Sequence, residues 1–352
     1  MSTPVSEATL KRINRWKLIG LFLVLAFAFI FVLTIDNLLV SSILAFVISY
    51  ALGPTVSYLE RQGVSRGLAT TAVFVFVGIG LALLSLWIFP YIGHSLSALQ
   101  GDMPRYIAGL GQFISEKETD LRSIAGPVSN FDLTSRVETK LTNWTQQFFE
   151  ELPGTVKTFF TVMLLGPFLA FFMVKDGRRA MRSAMGLIPN NLFEAALSLL
   201  HQINFQIGQF VRARLLESVI VGLVTSIGLM MVSFPYAVIL GLIAGIMNLI
   251  PYLGPILGAV PAFLIALVNG YSSLDVALMA SVYIVAQLID AGLLIPVMVA
   301  KIVDLHPVTV FLVIIAGAQV MGILGMIISI PVASTVKVTV TTIYRHLIDT
   351  RA

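Results

Sequence analysis

The residues able to do chemistry in this chain are few, and the sharpest of them sits in apolar surroundings. Asp290 lies in the middle of an apolar stretch, 275–300, with Gln287 about one turn before it and Tyr283 one turn further back, on the same helical face. A carboxylate at mid-bilayer depth costs about 2.5–3.5 kcal/mol on insertion scales, so it is expected to face protein or a cavity. Two roles meet that penalty equally well: an exchanging proton or ion carrier, or a structural acid bonded to the free amides of a broken helix. Glu217 opens another apolar stretch with Arg214 three residues before it, the spacing of an interfacial ion pair. Asn248 and Gln319 stand just ahead of helix breakers, where neutral amides could cap half-helices or hold a polar solute.

Other chemistries find no support. Cysteine is absent, and His94, His201, His306 and His346 match no metal-ligand spacing. There is no Walker A sequence, no HExxH and no GxSxG, and Gly78-Ile79-Gly80 lacks the third glycine of a dinucleotide loop. Neither ATP-driven pumping nor an enzyme is expected, nor any bound cofactor. A proton or sodium gradient is the driving force left open.

The elements that must position these groups are unusual. The apolar run 237–268 contains NLIPYLGPILGAVP, with Pro251, Pro255 and Pro261, Gly254 and Gly258. Each proline removes a backbone donor and crowds the preceding turn. Lipid cannot satisfy the freed carbonyls, so broken backbone at membrane depth survives only against protein or a wet cavity. The run is long for one span of roughly 20 residues and short for two with a loop. A helical hairpin that enters the bilayer and returns fits best. Broken helices of this kind point to a transport pathway, here placed at Asn248, Pro251, Gly254, Pro255, Gln287, Asp290 and Gln319.

Apolar residues make up 57% of the chain and charged residues 11%, against about a quarter in soluble domains. The fold class is therefore all-α: a polytopic helical membrane protein with two re-entrant helical hairpins and amphipathic extramembrane helices. Spans are expected at 18–35, 38–59, 68–92, 155–174, 215–233 and 275–300, with no cleavable signal peptide. Between 94 and 154, Leu96, Leu99, Met103, Ile107, Leu110 and Ile114 recur at helical spacing, and acids outnumber bases, which favours an external location. An amphipathic arm, 189–214, precedes the fifth span. A second long run, 308–336, carries Gly317, Gly322, Gly325 and Pro331. Read as a hairpin, it keeps Lys337, Arg345 and Arg351 on the same side as Lys11, Arg12, Arg15 and Lys17, as the positive-inside rule requires. The net charge of +4 is read through this topology, not as a nucleic-acid signal. Four regions follow: 1–92 with three spans, 93–154 external, 155–214 with the fourth span and the arm, and 215–352 as an inverted-repeat transport region.

The chain resembles the AI-2E family of transporters. The resemblance rests on NLIPYLGPILGAVPA (248–262), AQLIDAGLLIPVMV (286–299), LHPVTVFLVIIAG (305–317) and FFMVKDG (171–177), in this order. It implies export of the signalling molecule autoinducer-2, or sodium (lithium)/proton antiport as some members are described. It further implies a homo-oligomer, a pentamer, with an elevator-like moving part. At Asp290 relatives often carry glutamate. The expected partners are the lipid bilayer and a small polar solute or monovalent cation. The expected location is the bacterial plasma membrane, crossed several times, with both termini cytoplasmic. Two rivals to solute export stay open: a Na+(Li+)/H+ antiporter using Asp290, and a membrane scaffold that moves nothing.

Overall fold

The computed structural model describes residues 20, 23, 26–27, 30–35, 37–125, 133–188, 190–250, 254–299 and 305–349. Every regular element among them is helical. In order they are α1 (Leu38–Arg61), α2 (Arg66–Ala125), α3 (Leu133–Met185), α4 (Asn190–Met231), α5 (Ala237–Met247), α6 (Gly254–Val268) and α7 (Ser273–Ile289); a π-helical segment (Asp290–Val299) and α8 (Pro307–Asp349) complete the series. Six of the described helices are long and apolar enough to cross a membrane. The expected first span and its basic approach lie largely outside the described residues, as does Pro251.

Several elements are longer than their sequence patterns. A span ending at residue 92 was expected, followed by separate external helices. Instead α2 continues for 60 residues through Pro90 and Pro104. At 1.5 Å per residue that is about 90 Å, some three times the hydrocarbon thickness of a bilayer. Each proline removes one donor, and a helix with its other bonds intact outlasts that loss. In the same way α3, with 53 residues, and α4, with 42, each join an apolar span to an amphipathic stretch in one helix.

Two compact units emerge. One draws on Met1–Ile79, Thr158–Arg212 and Ile302–Ala352, the other on Gly80–Lys157 and Ala213–Lys301. In the first unit Val56, Ala69, Val73 and Val174 are buried together. Arg66 closes this junction: its Nε and Nη2 donate to the Val174 carbonyl at 2.9 and 2.5 Å, and its Nη1 lies 3.0 Å from Glu60 Oε2. Arg178 reaches the same Glu60 oxygen at 2.9 Å and donates to Ser57 Oγ at 3.1 Å. The amphipathic part of α4 is fixed to α1, because the Tyr50 hydroxyl donates to Asn204 Oδ1 at 2.6 Å and Arg212 Nη1 donates to the Tyr50 carbonyl at 3.2 Å.

Helix α8 is not one rod. Met321 and Gly322 leave helical geometry, Gly322 at φ 58°, and Gly317 comes directly against Gly325 and Ser329. Residues eight apart in an unbroken helix would be about 12 Å apart. The chain therefore reverses at Met321–Gly322 and forms a two-armed hairpin. Glycine is suited to this reversal because a side chain is strained at that φ. His306, expected as a turn residue, accepts the Val308 amide at 3.3 Å through Nδ1 and so helps cap the first arm.

In the second unit α5 and α6 form the other hairpin, with Gly258 packed on Ala244. Helix α4 ends in a left-handed residue, Ser233 (φ 54°); the Phe234 amide bonds the Leu229 carbonyl and the Ser233 amide bonds that of Met230. This is the closure that satisfies the last carbonyls of a helix. A capping box of Ser272 and Asp275 starts α7. Leu229, Phe234, Leu240, Ile265 and Met279 form the core, with Tyr106 of α2 packed among them.

Polar contacts join α2 to the loop before α5: the Tyr236 hydroxyl donates to Asp102 Oδ2 at 2.5 Å and also meets the Tyr106 hydroxyl. Burial first, then these contacts, hold the Tyr236 hydroxyl well above its ordinary pKa. A folded-state pKa raised in this sense adds stability that is complete below the unfolded value, about 10, and is lost as pH rises beyond it. Tyr236→Phe is expected to lower thermal stability by about 1 kcal/mol equivalent. A melting series from pH 7 to 11 should show a constant gap between wild type and variant that narrows only above about pH 10.

Candidate functional site

Among the described polar residues closed off inside the second unit, four gather into one group: Arg214 at 8% exposure, Glu217 at 0%, Asn248 at 2% and Asp290 at 3%. Each arrives on a different piece of backbone logic. Arg214 and Glu217 lie one turn apart on α4, and Arg214 Nη1 stands 2.7 Å from Glu217 Oε2. Asn248 is the C-terminal cap of α5, where the apolar helix stops. Asp290 is the first residue of the π-helical segment. Asn248 Nδ2 donates to Asp290 Oδ1 at 3.5 Å, a long bond. Arg214 attracts Asp290, and Glu217 repels it, so the three charged groups act as one cluster. Two carboxylates face one guanidinium.

The pair Arg214 and Glu217 was expected at a membrane interface. It is buried instead, and the reason is the crossing of α4 and α5. Gly222 on α4 meets Gly241 and Gly245 on α5 so closely that a Cβ on Gly245 would stand 2.8 Å from the Ser218 carbonyl. Small residues at this spacing let two backbones touch. The approach brings the Ser218 hydroxyl to the Gly245 carbonyl at 2.5 Å and seals Glu217, its neighbour, from solvent. Ser218 is the residue that sequence reasoning missed. Its only signal was its place beside Glu217 on the face opposite the Gly241/Gly245 pair.

The opening of the π helix at Asp290 is the second feature that the sequence did not announce. Pro296 has no amide to give in an α register or in a wider one, so one carbonyl of this segment goes without its helical partner. π-helical turns often accompany functional sites. On the α7 side, Tyr283 and Gln287 share the face of Asp290. In this unit the buried oxygens Glu217 Oε1, Thr225 Oγ1, Tyr283 Oη and Gln287 Oε1 have no hydrogen-bond partner among the described residues.

Of the other sequence candidates, Gly254 opens α6 against the Met247 carbonyl, and Pro255 follows it in the first turn. Gln319 belongs to the first unit, on the first arm of the α8 hairpin, and is exposed. Among the described residues no group of three or more His, Cys, Asp or Glu could hold a metal ion.

Comparison with known proteins bears on what such a site serves. Residues 19–345 match the model of a family described as AI-2E family transporter. The chain is 30% identical over 320 residues to the putative transport protein YrrI of Bacillus subtilis (strain 168), covering 88% of this chain and 87% of that one. It is 27% identical over 315 residues to the putative transport protein YueF of the same organism, covering 87% and 84%. It is 24% identical over 309 residues to the AI-2 transport protein TqsA of Escherichia coli (strain K12), covering 86% and 85%.

Proposed function

This chain belongs to the AI-2E family of transporters and is a multi-pass membrane protein; on that premise we propose that it moves a small, hydroxyl-bearing polar solute through the cluster of Arg214, Glu217, Asn248 and Asp290. The observation that carries the proposal is the burial of that cluster with Glu217 Oε1 left without a partner among the described residues, beside the similarly unpartnered Tyr283 and Gln287 oxygens on α7. A buried polar group without a partner costs about 1–3 kcal/mol. Partners brought by a passing solute would relieve that cost and give the site a preference for hydroxyls. Autoinducer-2 has such chemistry, and the name of TqsA includes it. Gradient-driven export is the proposed mode, with the α5–α6 and α8 hairpins entering the bilayer from opposite sides and the moving part drawn from 215–352. The proposed setting is the bacterial plasma membrane, as a homo-oligomer with both termini cytoplasmic.

A second reading has its own observation. Two carboxylates against one guanidinium leave room for one more positive charge, which a proton or a sodium ion could supply in an antiport cycle. The test is a flux panel on protein reconstituted in liposomes, with autoinducer-2, other small polyols, Na+ and Li+, each with and without a pH gradient. Solute flux by wild type is expected, and Asp290→Asn is expected to lower it about 10- to 100-fold, the loss of one charge-assisted bond. Cation flux without solute flux would favour the antiporter. Movement of neither would overturn transport by this cluster and favour a scaffold.

A further inference from the structure

One face of α3 changes character abruptly along its length. Phe168 and Phe172 are 59% and 44% exposed and stack edge to face at 5.0 Å. Phe171, between them in sequence, packs edge-on to Phe74 and to Phe172, and Lys175 Nζ lies 5.7 Å from its ring centre. Continuing from Phe172 on the outward face, at steps of three and four residues, come Lys175, Arg179 and Arg182, all exposed. Residues at these steps share one side of a helix. Arg178 is already engaged, bound to Glu60 and Ser57. Glu60 in turn is shared with Arg66. Among the described residues no carboxylate lies at ion-pair distance from Lys175, Arg179 or Arg182. Four cations stand against one acid, Asp176, over 175–182.

We propose that this face of α3 is a binding site for an anionic phospholipid, with acyl chains along Phe168 and Phe172 and the phosphate held by Lys175, Arg179 and Arg182. The charge and the position both match. The apolar run of α3 gives way at Val174 to the basic stripe, a pattern that would set the stripe at headgroup level. Its rise from 175 to 182 is about 10 Å, comparable with the depth of a headgroup layer. Basic residues there gain roughly 1 kcal/mol each from anionic lipid, about fivefold in affinity. A lipid phosphate also answers the arginines' fork geometry. A free phosphate would meet the same cations but leave the two phenylalanines unused.

The experiment is native mass spectrometry of the full chain, released from micelles with phosphatidylglycerol or phosphatidylcholine. Wild type should retain phosphatidylglycerol preferentially. Arg179→Gln with Arg182→Gln should reduce that retention about 30-fold and leave phosphatidylcholine unchanged. Phe168→Ala with Phe172→Ala should weaken both lipids, and inorganic phosphate should not displace either. Equal retention of the two lipids by wild type, undiminished retention by the arginine variant, or displacement by phosphate would each overturn the site. So would an arginine variant whose oligomeric state shifts while its lipid preference stays, since the face would then be a contact between copies.

Discussion

Arg214→Gln is expected to remove most of the folded protein. The substitution leaves Glu217, at 0% exposure, and Asp290, at 3%, without a cation. Losing one partner of a buried pair costs about 3–5 kcal/mol, a large part of the 5–15 kcal/mol that holds a typical fold. The yield of monodisperse protein after detergent extraction is the measurement, together with a melting curve of what remains. Glu217→Gln should behave differently. It leaves Arg214 balanced by Asp290 alone, and a loss of about 1–2 kcal/mol is expected from the changed hydrogen bond. The double variant, Arg214→Gln with Glu217→Gln, should recover much of what the arginine variant lost, giving a coupling of several kcal/mol in the cycle. A double variant as unstable as Arg214→Gln would mean that Glu217 is not what the arginine neutralises.

Gly325→Val should abolish transport while the chain still inserts. A Cβ at Gly325 would run into the Gly317 carbonyl group and stand 3.0 Å from the Met321 Cβ. Backbone cannot retreat as a flexible side chain can, so the cost lies at or above the 1–3 kcal/mol of ordinary overpacking. The arms of the α8 hairpin would have to part. Gly322→Ala makes the contrast, since nothing lies within 4 Å of the added methyl but φ is 58°. It should cost about 1–2 kcal/mol and spare part of the flux. Flux in liposomes, read beside the elution profile, distinguishes the two. Equal flux in wild type and Gly325→Val would mean that the close crossing of the arms has no role.

Much of this was visible in the sequence, and the remainder was hidden for physical reasons. The cluster of prolines and glycines after Asn248 marked a stop and restart of helix, and α5 does end at Met247 with α6 opening at Gly254. Gly317, Gly322 and Gly325 marked the place where α8 reverses. Asp290 stood out because an acid in an apolar run has few explanations. Glu217 did not, because Arg-x-x-Glu at the head of a span looks the same whether lipid headgroups or another helix will cover it. What covers it is the α4–α5 crossing, a tertiary event that brings Gly222 against the Gly241/Gly245 pair of the next helix. The long helices were underestimated because a change from apolar to amphipathic pattern alters what a helix faces, not whether it continues. The π segment left no periodic signal at all.

That segment has a mechanical corollary. A helix closed by five-residue steps holds one residue more per loop than its four-residue counterpart. Tightening a single such loop would advance the following chain by about 1.5 Å and swivel it by roughly 100°. Asp290 stands at the first of these loops. Such a slip would turn the chain beyond Asp290, as a ruck moves along a carpet, while the carboxylate stays with the end of α7 and no helix comes apart.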